Sequence, residues 1–393
     1  MNQARAFLDA ILETPDDDAP RLIFADWLDD QGDADRAEFI RLQVERAQLE
    51  RSDSRLPGLL QREAELLKQH QGAWLGSLKL LCQRCRFHRG FVEEVVVDAQ
   101  QLLLHGAEIF RVAPIRQLHL RNVNALPALA QETRSAQLLA ELLSRVRVLN
   151  LNHALLNEGA GLFLIHLPQL PRLDALHLTQ NALTPAGVEI LARSPVLDSL
   201  TTLEFNSTSP SRETLEVLLR SPRLGRLQRL SLVGNQQGDR VVSLLTNVPL
   251  LGQLVSLSLG HTGLTGDGLE RLVNHPQAEG LEELDISFNA LGPLGLRPLA
   301  ECGQLHRLVW VNASRTYAGD EGAALLAQSP LLGQLRGVDL SMNRIEDAGG
   351  QALAGAPRRV SLQRLDLIYN ALGGPVRAAL VRRFGEKVCL FGR

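Results

Sequence analysis

The chain has 393 residues, 45% hydrophobic and 22% charged, with a formal net charge of −3. That length exceeds what one hydrophobic core usually supports, so several domains or a repeat array are expected. The slightly acidic balance argues against broad nucleic-acid binding, which needs a basic footprint. No run approaches the roughly 18 uninterrupted apolar residues of a membrane span. The four cysteines are scattered and form no disulfide framework. The first residues lack a cationic stretch followed by an apolar run, so a cytoplasmic protein is the expectation; a monomer is favoured.

In chain order, residues 1–52 read as a small all-α module of three helices. Asp17 or Asp18 is placed to cap the second helix, with Pro20 in its first turn and Gly32 closing it. Asp35, with Glu38 three residues on, makes a capping-box-like start for the third. Trp27 is the candidate core anchor. Residues 1–72 hold 16 acidic and 9 basic side chains, leaving the remainder at +4. The acidic run at 16–18 and 26–35 lacks the alternating oxygen ligands of a calcium loop, so caps and a solvated face explain it better. The segments Asp16-Asp17-Asp18-Ala19-Pro20-Arg21-Leu22, Ala25-Asp26-Trp27-Leu28 and Glu38-Phe39-Ile40-Arg41-Leu42-Gln43 resemble the bacterial repeat-companion domain. That module precedes repeat arrays in planctomycete and myxobacterial proteins. The resemblance implies no reaction.

Residues 53–90 read as a helical linker and N-terminal cap, with an amphipathic helix from Pro57 to His70. Cys82-Gln83-Arg84-Cys85 followed by His88 has metal-like spacing. A structural zinc site needs further ligands, and no second pair follows, so no metal and no cofactor are expected. No phosphate loop, dinucleotide fingerprint, metalloprotease helix or nucleophile elbow is present.

Residues 91–374 carry a phrase of the form L-x-x-L-x-L-x-x-N-x-L, clearest at Leu173–Leu183 and Leu281–Leu291. Its first apolar position falls at Ile115, Val146, Leu173, Leu200, Leu227, Leu254, Leu281, Leu305, Leu335 and Leu362. Spacings of 27 run from Val146 to Leu281, followed by 24, 30 and 27. Alternation within the phrase predicts a short strand with one buried face, and such strands bury it only by stacking on neighbours. The segments after the strands carry apolar residues at i, i+3 and i+4 and read as short helices stopped by Pro195, Pro222, Pro249, Pro276 and Pro330. The asparagine slot is filled by Val123, Ala154, Asn181, Thr208, Asn235, Thr262, Asn289, Ala313, Asn343 and Asn370. A buried amide there can satisfy backbone groups that the turn leaves unpaired. Alternating asparagine and threonine suggests a double repeat of 54 residues.

This array resembles the ribonuclease-inhibitor-like subclass of leucine-rich repeats. The resemblance implies an α/β solenoid of about ten repeats, a horseshoe with a parallel sheet on its concave face and helices outside. Phe91–Val97 is expected to form an opening strand. Residues 375–393 form a C-terminal cap, in which Lys387–Phe391 closes the last sheet edge.

Concave-facing positions are read as polar in the N-terminal half. In the C-terminal half they are Asp285, Ser287, Phe288, Val309, Val311, Asn312, Asp339, Met342, Asp366 and Tyr369. Exposed aromatic and methionine side chains beside aspartates point to a protein partner on that face. The expected function is therefore a non-enzymatic interaction scaffold, without nucleic acid or membrane. An alternative is a regulator of a partner enzyme in trans, like a GTPase activator or an inhibitor. A third reading, a metal-dependent enzyme, would rest on the acidic module or on Cys82, Cys85 and His88.

Overall fold

The computed structural model describes residues 3–49, 53–123, 133–154, 156, 173–357 and 360–392. It divides into two compact units, Met1–Leu176 and His177–Arg393.

The first unit opens with helices α1 (Gln3–Glu13), α2 (Ala19–Asp30), α3 (Ala34–Gln48) and α4 (Leu56–Leu75). Ile11, Ala25, Leu28, Ala37, Ile40 and Val44 form a core that also takes in Phe91 from the following hairpin. Trp27 stacks on Phe24 at 5.7 Å and packs beside Phe7. Capping differs in detail from the sequence expectation. Asp17 Oδ1 accepts the Ala19 amide at the start of α2. Asp33, not Asp35, accepts the Arg36 amide at the start of α3, and Asp35 instead pairs with His70. The side chain one residue before the first turn reaches that amide, whereas Asp35 already lies inside the helix.

Strands β1 (Arg84–His88) and β2 (Phe91–Asp98) form an antiparallel hairpin. Its turn, Arg89-Gly90, has φ of +47° and +87°, the two left-handed residues that a tight hairpin needs. A Cβ on Gly90 would lie 2.6 Å from Ile40, so α3 can approach the turn only because this residue is glycine. From β2 onward the pairing is parallel, through β3 (Gln117–Arg121) to β4 (Val148–Asn150). Strand β5 (Ala175–His177) lies where the two units meet in sequence.

The second unit repeats strand, helix and 3₁₀ turn. Strands β6 (Thr202–Glu204), β7 (Arg229–Ser231), β8 (Ser256–Ser258), β9 (Glu283–Asp285), β10 (Trp310–Asn312), β11 (Gly337–Asp339) and β12 (Arg364–Asp366) pair in parallel with their neighbours in chain order. Their central residues Leu203, Leu230, Leu257, Leu284, Val311, Val338 and Leu365 are all buried, each contributing roughly 1.5–3 kcal/mol. Pro195, Pro222, Pro249, Pro276 and Pro330 each open the 3₁₀ turn that follows a helix. Proline fits there because a first-turn residue needs no N–H partner. Strand β13 (Cys389–Leu390) pairs with β12 and covers that edge.

One register was misjudged from sequence. β10 pairs Val311 with both Leu284 and Val338, so the repeat opens at Leu308 rather than Leu305. The spacing of 27 is then unbroken from Val146 to Leu362. The confusion has a physical source. Leu305 is itself buried in the connecting segment, and Trp310 imitates an inward leucine. Trp310 in fact lies across Gly337, whose Cβ would meet the indole at under 2 Å. Glycine within a strand marks such a close approach.

The corrected register puts Thr316, not Ala313, in the slot beside the turn. The side chains there run Asn181, Thr208, Asn235, Thr262, Asn289, Thr316, Asn343, Asn370. Each asparagine that follows a threonine reaches back across one repeat. Asn235 Oδ1 accepts the Thr208 amide, Asn289 Oδ1 the Thr262 amide, and Asn343 Oδ1 the Thr316 amide. The Nδ2 atoms donate to the carbonyls of Phe205, Leu259 and Ala313. Threonine lacks the reach to do this, and its hydroxyl instead closes its own turn, as at Thr262 to the Leu259 carbonyl. The 54-residue alternation is therefore a clamp-and-recipient pair.

Candidate functional site

Where the chain leaves each strand, one residue ahead of this ladder takes a left-handed conformation. The column in the second unit reads Gln180, Ser207, Gly234, His261, Phe288, Arg315, Met342 and Tyr369, all with φ between +49° and +77°. Glycine and asparagine are common occupants of this region, whereas bulky side chains are outliers there, at a cost of order 1–3 kcal/mol. From Phe288 onward the occupants are nevertheless large. Two residues beyond the ladder, Tyr317 (φ +60°) and Arg344 (φ +59°) repeat the anomaly.

These side chains do not fold away. Phe288 is 47% and Tyr369 73% exposed, and Met342 and Tyr317 are also exposed. The Arg315 guanidinium lies 5.1 Å from the centre of the Phe288 ring, and that of Arg344 lies 4.8 Å from Tyr317. His261 meets Phe288 edge-on at 6.5 Å. Val233, His261, Phe288, Ala290, Arg315 and Tyr317 enclose an open hollow of about 650 Å³.

The other residues singled out from sequence land differently. Val311 is 1% exposed, part of the inward stack, and cannot face a partner. Val309 is half-buried, and its backbone bonds Glu282 and Arg336 across the strands. Both were misplaced by the register slip. Ser287 and Asp366 are buried, the latter paired with Arg364. Asp285, Asn312, Asp339 and Asp366 each accept the amide two residues on. Neutral Asn312 makes the same bond as the aspartates, so the turn requires an acceptor and not a charge. Sequence reading missed Arg315, Tyr317 and Arg344. Counting 27 residues on from Phe288 and then 27 more would have found Arg315 and joined it to Met342.

In the first unit the polar residues of the front module meet their own chain. Arg21, fully buried, donates to Glu93 at 2.5 Å, and Arg89 donates to the same carboxylate at 3.0 Å. Asp16 receives Arg116 at 2.8 Å and Arg147 at 3.3 Å. The Gln43 amide accepts the Gly90 N–H and donates to Glu63 and to the Phe87 carbonyl. Arg36 lies among Phe39, Trp74, Phe87 and Phe91, 4.8–5.6 Å from the ring centres, and donates to the Gly90 carbonyl. Burial pulls its pKa down to about 10, although Asp33 opposes the shift.

A second cluster sits on β1–β3, where buried Glu94 faces His88 at 3.4 Å, His119 at 3.3 Å and Arg86 at 3.5 Å. His88 thus turns to Glu94, while Cys82 and Cys85 are free thiols. The neighbouring Cys85 thiol and burial hold the Cys82 thiol well above its ordinary pKa, and the Cys82 thiol lowers that of Cys85. Among the described residues no three His, Cys, Asp or Glu side chains form a group able to hold a metal. Nor is any of the described helices long and apolar enough to cross a membrane.

The Leucine Rich repeat family matches this chain at residues 281–300 and 335–354, two segments that include Phe288 and Met342. No curated protein matches the sequence. Among solved structures, a chain of the Rad7 and Elc1 complex from yeast is similar with a TM-score of 0.51 and 17% identity, over 91% of this chain and 87% of that one. An internalin (inlF) from Listeria monocytogenes gives 0.36 and 13%, over 77% and 87%. A protein from Bacteroides fragilis gives 0.34 and 14%, over 70% and 67%. With the parallel strands, the asparagine ladder and the 27-residue period, the repeat-family match and the yeast structure define the fold as a leucine-rich-repeat solenoid.

Proposed function

We propose that this protein is a non-enzymatic binding protein that holds a protein partner along the turn edge of its second unit. The contact surface is Phe288, Met342 and Tyr369, with the adjoining open face of the sheet around Asp285, Asn312 and Asp339. One observation carries this reading: successive repeats place large exposed side chains at backbone positions that favour small ones. Strain of that kind persists where the projected side chain has a use, and exposed aromatics and methionine are enriched where proteins meet. A strand stack whose turns are fixed by buried asparagines orders little on association, which favours equilibrium binding by a preformed surface. The structure of like fold from yeast is of a complex between two proteins, Rad7 and Elc1. The front module reads as the N-terminal cap of the array, because its Asp16, Arg21 and Arg36 already have partners within the first unit.

The test is paired capture from a lysate of the native organism, identified by mass spectrometry. One bait is the intact chain and the other carries Phe288→Ala, Met342→Ala and Tyr369→Ala, with folding checked by circular dichroism. A protein held by the first and lost by the second is the expected result. Equal recovery on both would remove the turn edge as the binding surface.

A further inference from the structure

Resting on that reading, we infer that the partner presents an acidic segment, with carboxylates that engage Arg315 and Arg344 and an apolar side chain that enters the hollow beside Phe288. The two arginines recur in the same manner. Each lies on an aromatic ring of the preceding repeat, Arg315 on Phe288 and Arg344 on Tyr317. A guanidinium that lies over a ring keeps N–H donors open, and its planar fork takes a carboxylate in a two-pronged bond. Contact with the ring also restrains the side chain beforehand, so less freedom is lost when the anion arrives.

Among the described residues neither guanidinium has an ion-pair partner, and several carboxylates of the neighbouring repeats are engaged elsewhere. Asp285 and Asp339 accept the amides of Ser287 and Ser341. Glu283 pairs with Arg229 and Glu282 with Arg307. Asp320 accepts the amides of Glu346 and Gly349. The edge therefore presents two exposed cations, the imidazole of His261 and the rings of Phe288 and Tyr317, with no ion pair to either guanidinium among the described residues. A basic segment would be repelled here, and a purely apolar one would leave both guanidiniums without partners.

Fluorescence anisotropy on the full chain tests this with three labelled probes of equal length: a random glutamate–tyrosine copolymer, polylysine and oligothymidylate. The copolymer is expected to bind, and to bind less tightly as salt rises. The Arg315→Asn and Arg344→Asn double variant should bind it about tenfold or more weakly, since two charge-assisted contacts are lost. Asparagine keeps the left-handed backbone, so this variant should fold. Arg→Lys at both sites should recover only part of the affinity, because lysine keeps the charge without the planar fork. Equal binding by the double variant, no preference over polylysine, or tighter binding of oligothymidylate each overturns the acidic assignment. The two readings fail separately. Capture that depends on Phe288 and Tyr369, with the copolymer ignored, keeps the edge and discards the acidic partner. Copolymer binding through the arginines, with capture indifferent to those residues, keeps the acidic site and discards the wider contact surface.

Discussion

Arginine meets aromatic rings in both units of this protein, with opposite consequences. Arg36 is enclosed by four rings contributed by helices and the hairpin, and it donates to a backbone carbonyl. The guanidiniums of Arg315 and Arg344 each lie on one exposed ring and donate to nothing among the described residues. Burial depresses the first guanidinium's pKa to about 10, which measures how closed its surroundings are. The same pair of residue types is thus a fastener where polar groups find partners within the chain, and an open surface where they do not. Substitutions in the first unit should change stability, whereas those along the turn edge should change binding.

The largest effect is expected at Glu93, which answers both the buried Arg21 and Arg89. Glu93→Ala strands a fully buried guanidinium, a change that typically costs about 3–5 kcal/mol. Urea denaturation followed by circular dichroism should show the loss. A variant as stable as the parent would mean that the module is not fastened through these ions, and the contrast between the units would fail. Next is Asn289→Ala. It removes the acceptor for the Thr262, Gly263 and Leu264 amides and the donor to the Leu259 carbonyl. Leaving such groups buried and unpaired should cost about 2–3 kcal/mol in the same measurement. Met342→Asn should act in the opposite direction. Its φ of +55° suits asparagine better than methionine, so stability should hold or rise by up to about 1 kcal/mol while partner capture falls. A loss of stability here would mean that Met342 packs against its neighbours and does not serve a partner.

How much of this was legible beforehand follows the range of the interactions. The period, the leucine stack, the short helices and the asparagine–threonine alternation are local or strictly repeated, so they stand out in the sequence. The register at Leu308 was lost because Leu305 offers an equally good L-x-x-L start, and only strand pairing separates the two. Aspartates on the sheet face looked like recognition charges, yet their hydrogen bonds to the turn amides are made equally by Asn312. Arg315 and Arg344 could have been found by holding the spacing at 27 through the irregular phrase. The fastening of the front module had no such signal. Asp16 and Arg116 are 100 residues apart, and nothing local in the sequence reports a pairing made only by folding.

That long-range pair supplies the smallest and most specific expectation. Burial of Asp16 opposes its charge, but Arg116 and Arg147 outweigh it and bring the carboxyl below its ordinary value of 3.8. A carboxylate whose pKa is lowered by folding stabilises the folded state fully above the unfolded value, and the contribution disappears as pH falls through the folded one. Its window is therefore acidic, below about 4, and at neutral pH the contribution is constant. The side chain is 64% exposed, so solvent and salt screen the pair and Asp16→Asn should cost less than about 1 kcal/mol. Comparing parent and variant by thermal denaturation at pH 7 and pH 3 checks the sign, because the difference between them should narrow in acid. A gap that widens in acid would mean that Arg116 is held chiefly by its bond to the Arg145 carbonyl and that Asp16 is not the group fastening the first unit's module.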